Sequence, residues 1–184
     1  MTLQLTKQDL RSGKESKKDF NGKKRVPISI LLDDLMIGQN IGSIFRTADA
    51  LLLEKIYLYG NSIVPPNKKI SKAAHGNERW VPFAIVDDPL KLIHMLKGNS
   101  ITIISAELAR NSIPYSRFEY KNPVCVIFGN ERRGVREDLL KISDIIVHVP
   151  MFGMGNSLNV AVTAGIICSH IANQIIRMSS NDCR

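Results

Sequence analysis

The chain has 184 residues, 44% hydrophobic and 23% charged, an ordinary balance for one globular domain with a sizeable core. Its apolar runs fall short of the ~18 uninterrupted residues of a transmembrane helix, and its N-terminus lacks an apolar signal core, so no membrane is expected and cytoplasm is the expected location. The net charge of +8 is concentrated at the start, where Lys7, Arg11, Lys14, Lys17, Lys18, Lys23, Lys24 and Arg25 outnumber Asp9, Glu15 and Asp19. Residues 1–25 therefore read as a flexible basic arm, either a nucleic-acid contact that neutralises phosphates or a solubilising tail. Cys125, Cys168 and Cys183 show no metal-ligand spacing. They read as reduced, structural or incidental thiols, and no metal is expected.

After the arm, strands and helices alternate. Val26 to Leu32 is an apolar, β-branched strand, and Asn40 to Leu53 has helical spacing at Ile41, Ile44, Phe45, Ala48, Leu51 and Leu52. Lys55 to Tyr59 is a second strand, and Ile70 to Asn77 a short helix after the Val64–Asn67 loop. Trp80 to Val86 reads as a third strand, followed by a helix from Asp88 or Pro89 to about Lys97. Ile101 to Ser105 is a fourth strand, residues 107–122 are irregular, and Val124 to Phe128 is a strand of the kind buried on both faces. A turn over Gly129–Gly134 leads to a short helix from Arg136 to Lys141, a sixth strand from Ile145 to Val149, and a final helix from Leu158 to about Met178. This order predicts an α/β fold with a parallel-rich sheet covered by helices on both faces, whose ligands lie at the carboxyl ends of the strands.

Three strand ends carry polar clusters. In Asn40-Ile41-Gly42-Ser43-Ile44-Phe45-Arg46, helical spacing can bring Asn40, Ser43 and Arg46 into one stripe, or leave an N-cap asparagine and a surface arginine. Phe128-Gly129-Asn130-Glu131-Arg132-Arg133-Gly134 sets a carboxylate between glycines directly after a buried strand, which suits a ligand-facing loop or a charged turn. Pro150-Met151-Phe152-Gly153-Met154-Gly155-Asn156-Ser157-Leu158-Asn159-Val160 is a loop entering a helix. Its Gly153 and Gly155 permit positive φ, its Asn156 or Ser157 can cap the helix, and free N–H groups at the helix start suit a polar ligand. No dinucleotide fingerprint or phosphate loop occurs.

Together, in order, the three clusters resemble the motifs of the SpoU/TrmH branch of the SPOUT RNA methyltransferases: Asn-x-Gly-x-x-x-Arg, Phe-Gly-x-Glu-x-x-Gly and Pro-Met-x-Gly-x-x-x-Ser-Leu-Asn-Val. The resemblance covers about residues 26–178 and implies a catalytic domain over 26–184 with a deep C-terminal trefoil knot. It implies S-adenosyl-L-methionine as cofactor, held around Ser105, Ala106, Gly129, Val149, Met151 and Leu158, with Glu107 bordering the same pocket. It implies a homodimer and methyl transfer to a ribose 2′-hydroxyl of tRNA or rRNA, with Arg46 as base or charge anchor and Asn40, Glu131, Ser157 and Asn159 beside it. Some relatives carry a separate RNA-binding domain before the catalytic one. Here only about 25 residues precede the first strand, so RNA is expected to meet Lys23, Lys24, Arg25, Lys68, Lys69, Lys72, Arg79, Arg132, Arg133 and Arg136. His75 and Asn77 depart from the family pattern, as does Ala161, where a serine is common. Two other readings are a non-catalytic RNA-binding or assembly protein on the same fold, and a SPOUT enzyme that methylates a base.

Overall fold

The apolar runs become a seven-stranded, wholly parallel sheet. A computed structural model of the protein describes residues 4–6, 9, 12, 20, 22–121 and 123–181, so Lys7, Arg11, Lys14, Lys17, Lys18 and Cys183 lie outside the described residues. The strands are β1 (Val26–Asp33), β2 (Leu53–Tyr59), β3 (Phe83–Val86), β4 (Thr102–Ala106), β5 (Ile113–Pro114), β6 (Val124–Phe128) and β7 (Ile145–His148). The helices are α1 (Gly38–Ala50), α2 (Lys68–Ala74), α3 (Pro89–Gly98), α4 (Glu137–Ile142) and α5 (Val160–Asn181). The sheet order is β3-β2-β1-β6-β4-β7-β5. β1 and β6 pair at the centre, with Ile30 opposite Val126.

Side-chain alternation along the strands builds two cores. Ile28, Ile30 and Leu32 of β1 join Val124, Val126 and Phe128 of β6 in one cluster, packed under α1, α2 and α5. Leu31, Cys125 and Ile127 point the other way, into a cluster with Leu92, Ile93 and Leu96 of α3 and Leu139 of α4. Each fully buried Ile, Leu or Phe contributes roughly 1.5–3 kcal/mol, so both faces are needed to hold the central strands. Burial pushes the Cys125 and Cys168 thiols up to about 12, which suits inert core residues.

Several expected boundaries shift. β3 begins at Phe83 rather than Trp80, because a 3₁₀ turn over Asn77–Arg79 takes up the preceding chain. The stretch expected to be irregular contributes β5, a two-residue edge strand on β7. α2 starts at Lys68, capped by the Asn67 side chain, and stops at His75, whose φ of 55° breaks the helix. The departure at His75 is thus a helix terminator. α5 is apolar and long enough to cross a membrane by length and composition, although one face packs into the core through Ala164, Ile167, Cys168, Ile171, Ala172 and Ile175.

Two motif glycines are set by packing. A Cβ on Gly42 would stand 2.4 Å from the Ile70 carbonyl oxygen, because α2 crosses α1 there. A Cβ on Gly129 would stand 2.1 Å from the Val135 nitrogen, because the loop after β6 folds back on itself. By contrast Gly153 meets nothing within 4 Å, Gly155 only the Met151 methyl at 3.9 Å, and neither has positive φ. The left-handed glycine among the motifs is Gly134, at φ 69°. Gly42→Ala and Gly129→Ala should each lower stability by about 1–3 kcal/mol in urea titration, while Gly155→Ala should stay within about 0.5 kcal/mol of the parent.

Candidate active site

A parallel sheet brings the carboxyl ends of β4, β6 and β7 together, and the loops that leave them wall a cavity of about 480 Å³. Of the residues singled out from the sequence as catalytic, Asn40, Glu131, Ser157 and Asn159 line it. Of the cofactor candidates, Ala106, Gly129, Val149, Met151 and Leu158 line it. Ser105 does not. It is fully buried one residue before Ala106, and its hydroxyl shares a 2.7 Å hydrogen bond with that of Ser143. Arg46 also stands outside the cavity wall, exposed on α1. Of the two readings of the first cluster, the surface arginine holds for Arg46, while Asn40 lies inside α1 rather than at its cap, which is Ile37, and the Ser43 hydroxyl donates to the Gln39 carbonyl of its own helix at 2.9 Å.

The three clusters meet through Asn40, which is only 7% exposed. Its Nδ2 donates to Glu131 Oε1 at 3.0 Å, and its Oδ1 accepts from Asn159 Nδ2 at 3.0 Å. Glu131 also accepts from the Ile37 and Met36 backbone nitrogens at 3.2 and 3.3 Å. These donors sit at the entry to α1, where no side chain of the helix itself provides a cap. A carboxylate there complements the positive end of the helix. Asn159, not Asn156 or Ser157, caps α5, since its Oδ1 accepts from Ala161 N at 2.9 Å and Val162 N at 3.4 Å. α5 therefore begins at Val160, and Ser157 stays exposed in the loop.

The floor of the cavity carries a second carboxylate. Glu107 follows β4, and its Oε2 accepts from Val135 N and its Oε1 from Leu108 N, both at 2.9 Å. A Cβ on Gly134 would approach Glu107 Oε2 to 2.3 Å, which accounts for the last glycine of the second cluster. His148, missed in the sequence, also lines the cavity, and its Nδ1 lies 2.9 Å from the Ser112 hydroxyl. Only its place at the end of a strand could have marked it.

Some arginines expected to meet RNA are engaged in the fold. Arg25 donates to the Leu53 and Trp80 carbonyls at 3.0 and 2.6 Å. Arg136 binds Asp138 at 3.1 and 2.6 Å, donates to the Tyr59 hydroxyl at 2.7 Å and lies over that ring. The Asp138 carboxylate raises the Arg136 pKa further above the usual guanidinium range. Arg133 pairs with Asp34, yet most of its side chain is exposed. Arg132, Lys23, Lys24, Lys68, Lys69, Lys72 and Arg79 are exposed.

These features define a class: an α/β protein with a cleft of mixed polar and apolar lining at the carboxyl edge of its sheet. The fold is shared with a TrmH/SpoU tRNA-modifying enzyme of Aquifex aeolicus (TM-score 0.79, 27% identity, covering 89% of this chain and 85% of that one). It is shared too with an AdoMet-bound rRNA methyltransferase of Sinorhizobium meliloti (TM-score 0.76, 26% identity, covering 82% and 57%). By sequence, an Aquifex aeolicus protein named tRNA (guanosine(18)-2′-O)-methyltransferase is 30% identical over 146 residues, 79% of this chain and 68% of that one. The chain spans 60% of the Escherichia coli relative of the same name. The profile of the SpoU rRNA Methylase family matches residues 27–169, and the chain belongs to that family.

Beside the cavity, Asp33 is fully buried and its Oδ1 has no hydrogen-bond partner, while Oδ2 accepts from Arg136 N at 3.2 Å. Burial raises the Asp33 pKa. A carboxyl with a raised native pKa stays protonated in the fold where the unfolded chain has already ionised. Its contribution to stability is full at low pH and is lost as pH rises from the ordinary aspartate value through the raised native one. Asp33→Asn, uncharged throughout, should therefore gain melting temperature relative to the parent as pH rises from about 4 to about 7. A gap between the two melting curves that does not change with pH would contradict a raised native pKa at Asp33.

Proposed function

We propose that this chain transfers a methyl group from S-adenosyl-L-methionine to a ribose 2′-hydroxyl of tRNA or rRNA. The observation that carries the reading is the Asn40–Glu131–Asn159 network, which draws three distant motif segments to one cavity wall. The cavity fits the cofactor. Its volume of about 480 Å³ lies in the range of small-molecule sites. Ala106, Val147, Val149 and Leu158 offer apolar contact for a base, and the glycines of the Gly129–Gly134 loop let it fold tightly back on itself and onto Glu107 at the cavity edge.

The bound cofactor supplies a methyl group already activated on a sulfonium. What remains for the protein is to orient the hydroxyl and to ease loss of its proton. Asn159 donates its amide to Asn40, Asn40 donates to Glu131 and Asn159 accepts from the start of α5, so the two amides form a fixed polar wall. Arg46 acts as an electrostatic anchor, gripping the neighbouring phosphate with its guanidinium fork and lowering the cost of a developing alkoxide. Its exposure, and the lack of a carboxylate partner among the described residues, support that role. Exposed Lys23, Lys24, Lys72 and Arg132 supply phosphate contacts.

The proposal includes the rest of the family architecture. Residues 26–184 form the catalytic domain. A trefoil knot is supported by the insertion of β6 between β1 and β4, after which β7 is added beyond β4. A homodimer is supported by apolar side chains exposed around the cavity mouth and along α5, including Met36, Ile37, Phe152, Met154, Leu158 and Val162. The location is cytoplasmic, where tRNA and rRNA are found.

Mass-spectrometric mapping of 2′-O-methyl groups in tRNA and rRNA from cells with and without the protein should reveal one lost modification. Arg46→Ala should reduce turnover by about 10²–10³-fold or more, and Arg46→Lys should fail similarly because it lacks the planar fork. Calorimetric affinity for S-adenosylhomocysteine should stay within about threefold of the parent, since an anchor for RNA makes no donor contact. Retained turnover with lost cofactor affinity would refute the assignment.

A further inference from the structure

We infer that Glu107 is the acceptor for the ribose diol of the methyl donor's adenosine, an inference that rests on reading the cavity as the S-adenosyl-L-methionine site. Glu107 lies directly after β4, between the ends of β6 and β7, and its backbone nitrogen is held by the Val147 carbonyl at 2.9 Å. Its carboxylate is fixed by two backbone amides, one on each oxygen, from Leu108 and Val135. A carboxylate has about four lone-pair positions, so each oxygen retains one acceptor. Among the described residues no cation lies within ion-pair distance of Glu107. The other carboxylate of the cavity wall, Glu131, already accepts three hydrogen bonds at the entry to α1.

Two free acceptors held side by side call for two neighbouring donors. The 2′- and 3′-hydroxyls of a ribose have that arrangement, and an acidic side chain at the carboxyl edge of an α/β sheet is well placed to receive them. Close packing against Gly134, where a Cβ would reach Oε2 at 2.3 Å, shuts the loop side of the carboxylate, so the ligand approaches from the cavity. The ammonium of the donor's methionine portion is the other group a carboxylate could attract. It is a single point charge and makes no use of a fixed pair of acceptors.

Calorimetry with S-adenosylhomocysteine, its 2′,3′-dideoxyribose analogue and 5′-methylthioadenosine tests this on the full chain and on Glu107→Gln. The full chain should bind S-adenosylhomocysteine on the order of ten- to a hundredfold more tightly than the dideoxy analogue, the range for hydrogen bonds to a charged acceptor. Glu107→Gln should lose a similar factor for S-adenosylhomocysteine and for 5′-methylthioadenosine, yet bind the dideoxy analogue within about threefold of the parent, as a coupled pair requires. The comparison of ligands on the unaltered chain needs no variant, so the test survives if Glu107→Gln folds poorly. Equal weakening of all three ligands by Glu107→Gln would overturn the inference and leave Glu107 as a loop clamp. Weakening confined to the two ligands that carry the amino acid would assign the carboxylate to the ammonium and overturn it as well. Failure of the folded parent to bind S-adenosylhomocysteine at all would overturn the underlying reading of the cavity, and the inference with it.

Discussion

The side-chain amide of Asn40 is the interaction on which the cleft depends. An amide carries a donor and an acceptor in fixed relation. Here the donor meets Glu131 of the loop after β6, and the acceptor meets Asn159 at the start of α5. Each partner also serves a helix, since Glu131 satisfies the entry of α1 and Asn159 caps α5. One buried contact thus ties two helix starts to a central strand end. The hydrogen bonds that shape the cavity are also those that satisfy the helix termini, so the binding wall is preorganised by the fold.

Charge is distributed by the same logic. Asp34 accepts from Asn61 N at 2.8 Å and Asn61 Nδ2 at 3.0 Å, which lowers its pKa and keeps it an anion beside Arg133. Asp33, one residue earlier, has an oxygen without a partner and its pKa is raised by burial. Adjacent carboxylates at one strand end are therefore pushed in opposite directions by hydrogen bonding and desolvation. The arginines nearest them, Arg133 and Arg136, are drawn into the fold to different degrees, while Arg132 remains open at the cavity.

Much of the architecture could be read along the chain. β6 was visible as a continuous apolar run because a strand buried on both faces needs no polar alternation, and β1 as a short apolar, β-branched run. α3 was visible because Asp88 and Pro89 form a standard start, and Asp88 does cap it at 3.0 Å from Lys91 N. β5 was not visible, since two residues on a sheet edge carry no period. The glycines were visible as glycines, but their reasons were not. Gly42 is set by α2, Gly129 and Gly134 by a loop folded onto itself and onto Glu107, and Gly153 and Gly155 by no close contact among the described residues.

The order and chemistry of the three motifs were set by the sequence itself, because residue type and local spacing decide which groups can donate, accept or turn the chain. From these came the family, the strand–helix alternation and the choice of Asn40, Glu131 and Asn159. Tertiary structure alone decided which of those groups touch. Asn40 meets residues 91 and 119 positions away, a pairing that no local period encodes. It also placed Arg46 off the cavity wall, moved the α5 cap to Asn159, and joined Glu107 to Val135 across 28 residues. Such contacts depend on the sheet order, and sheet order follows from packing two apolar faces at once, a constraint that acts on the whole chain rather than on any segment of it.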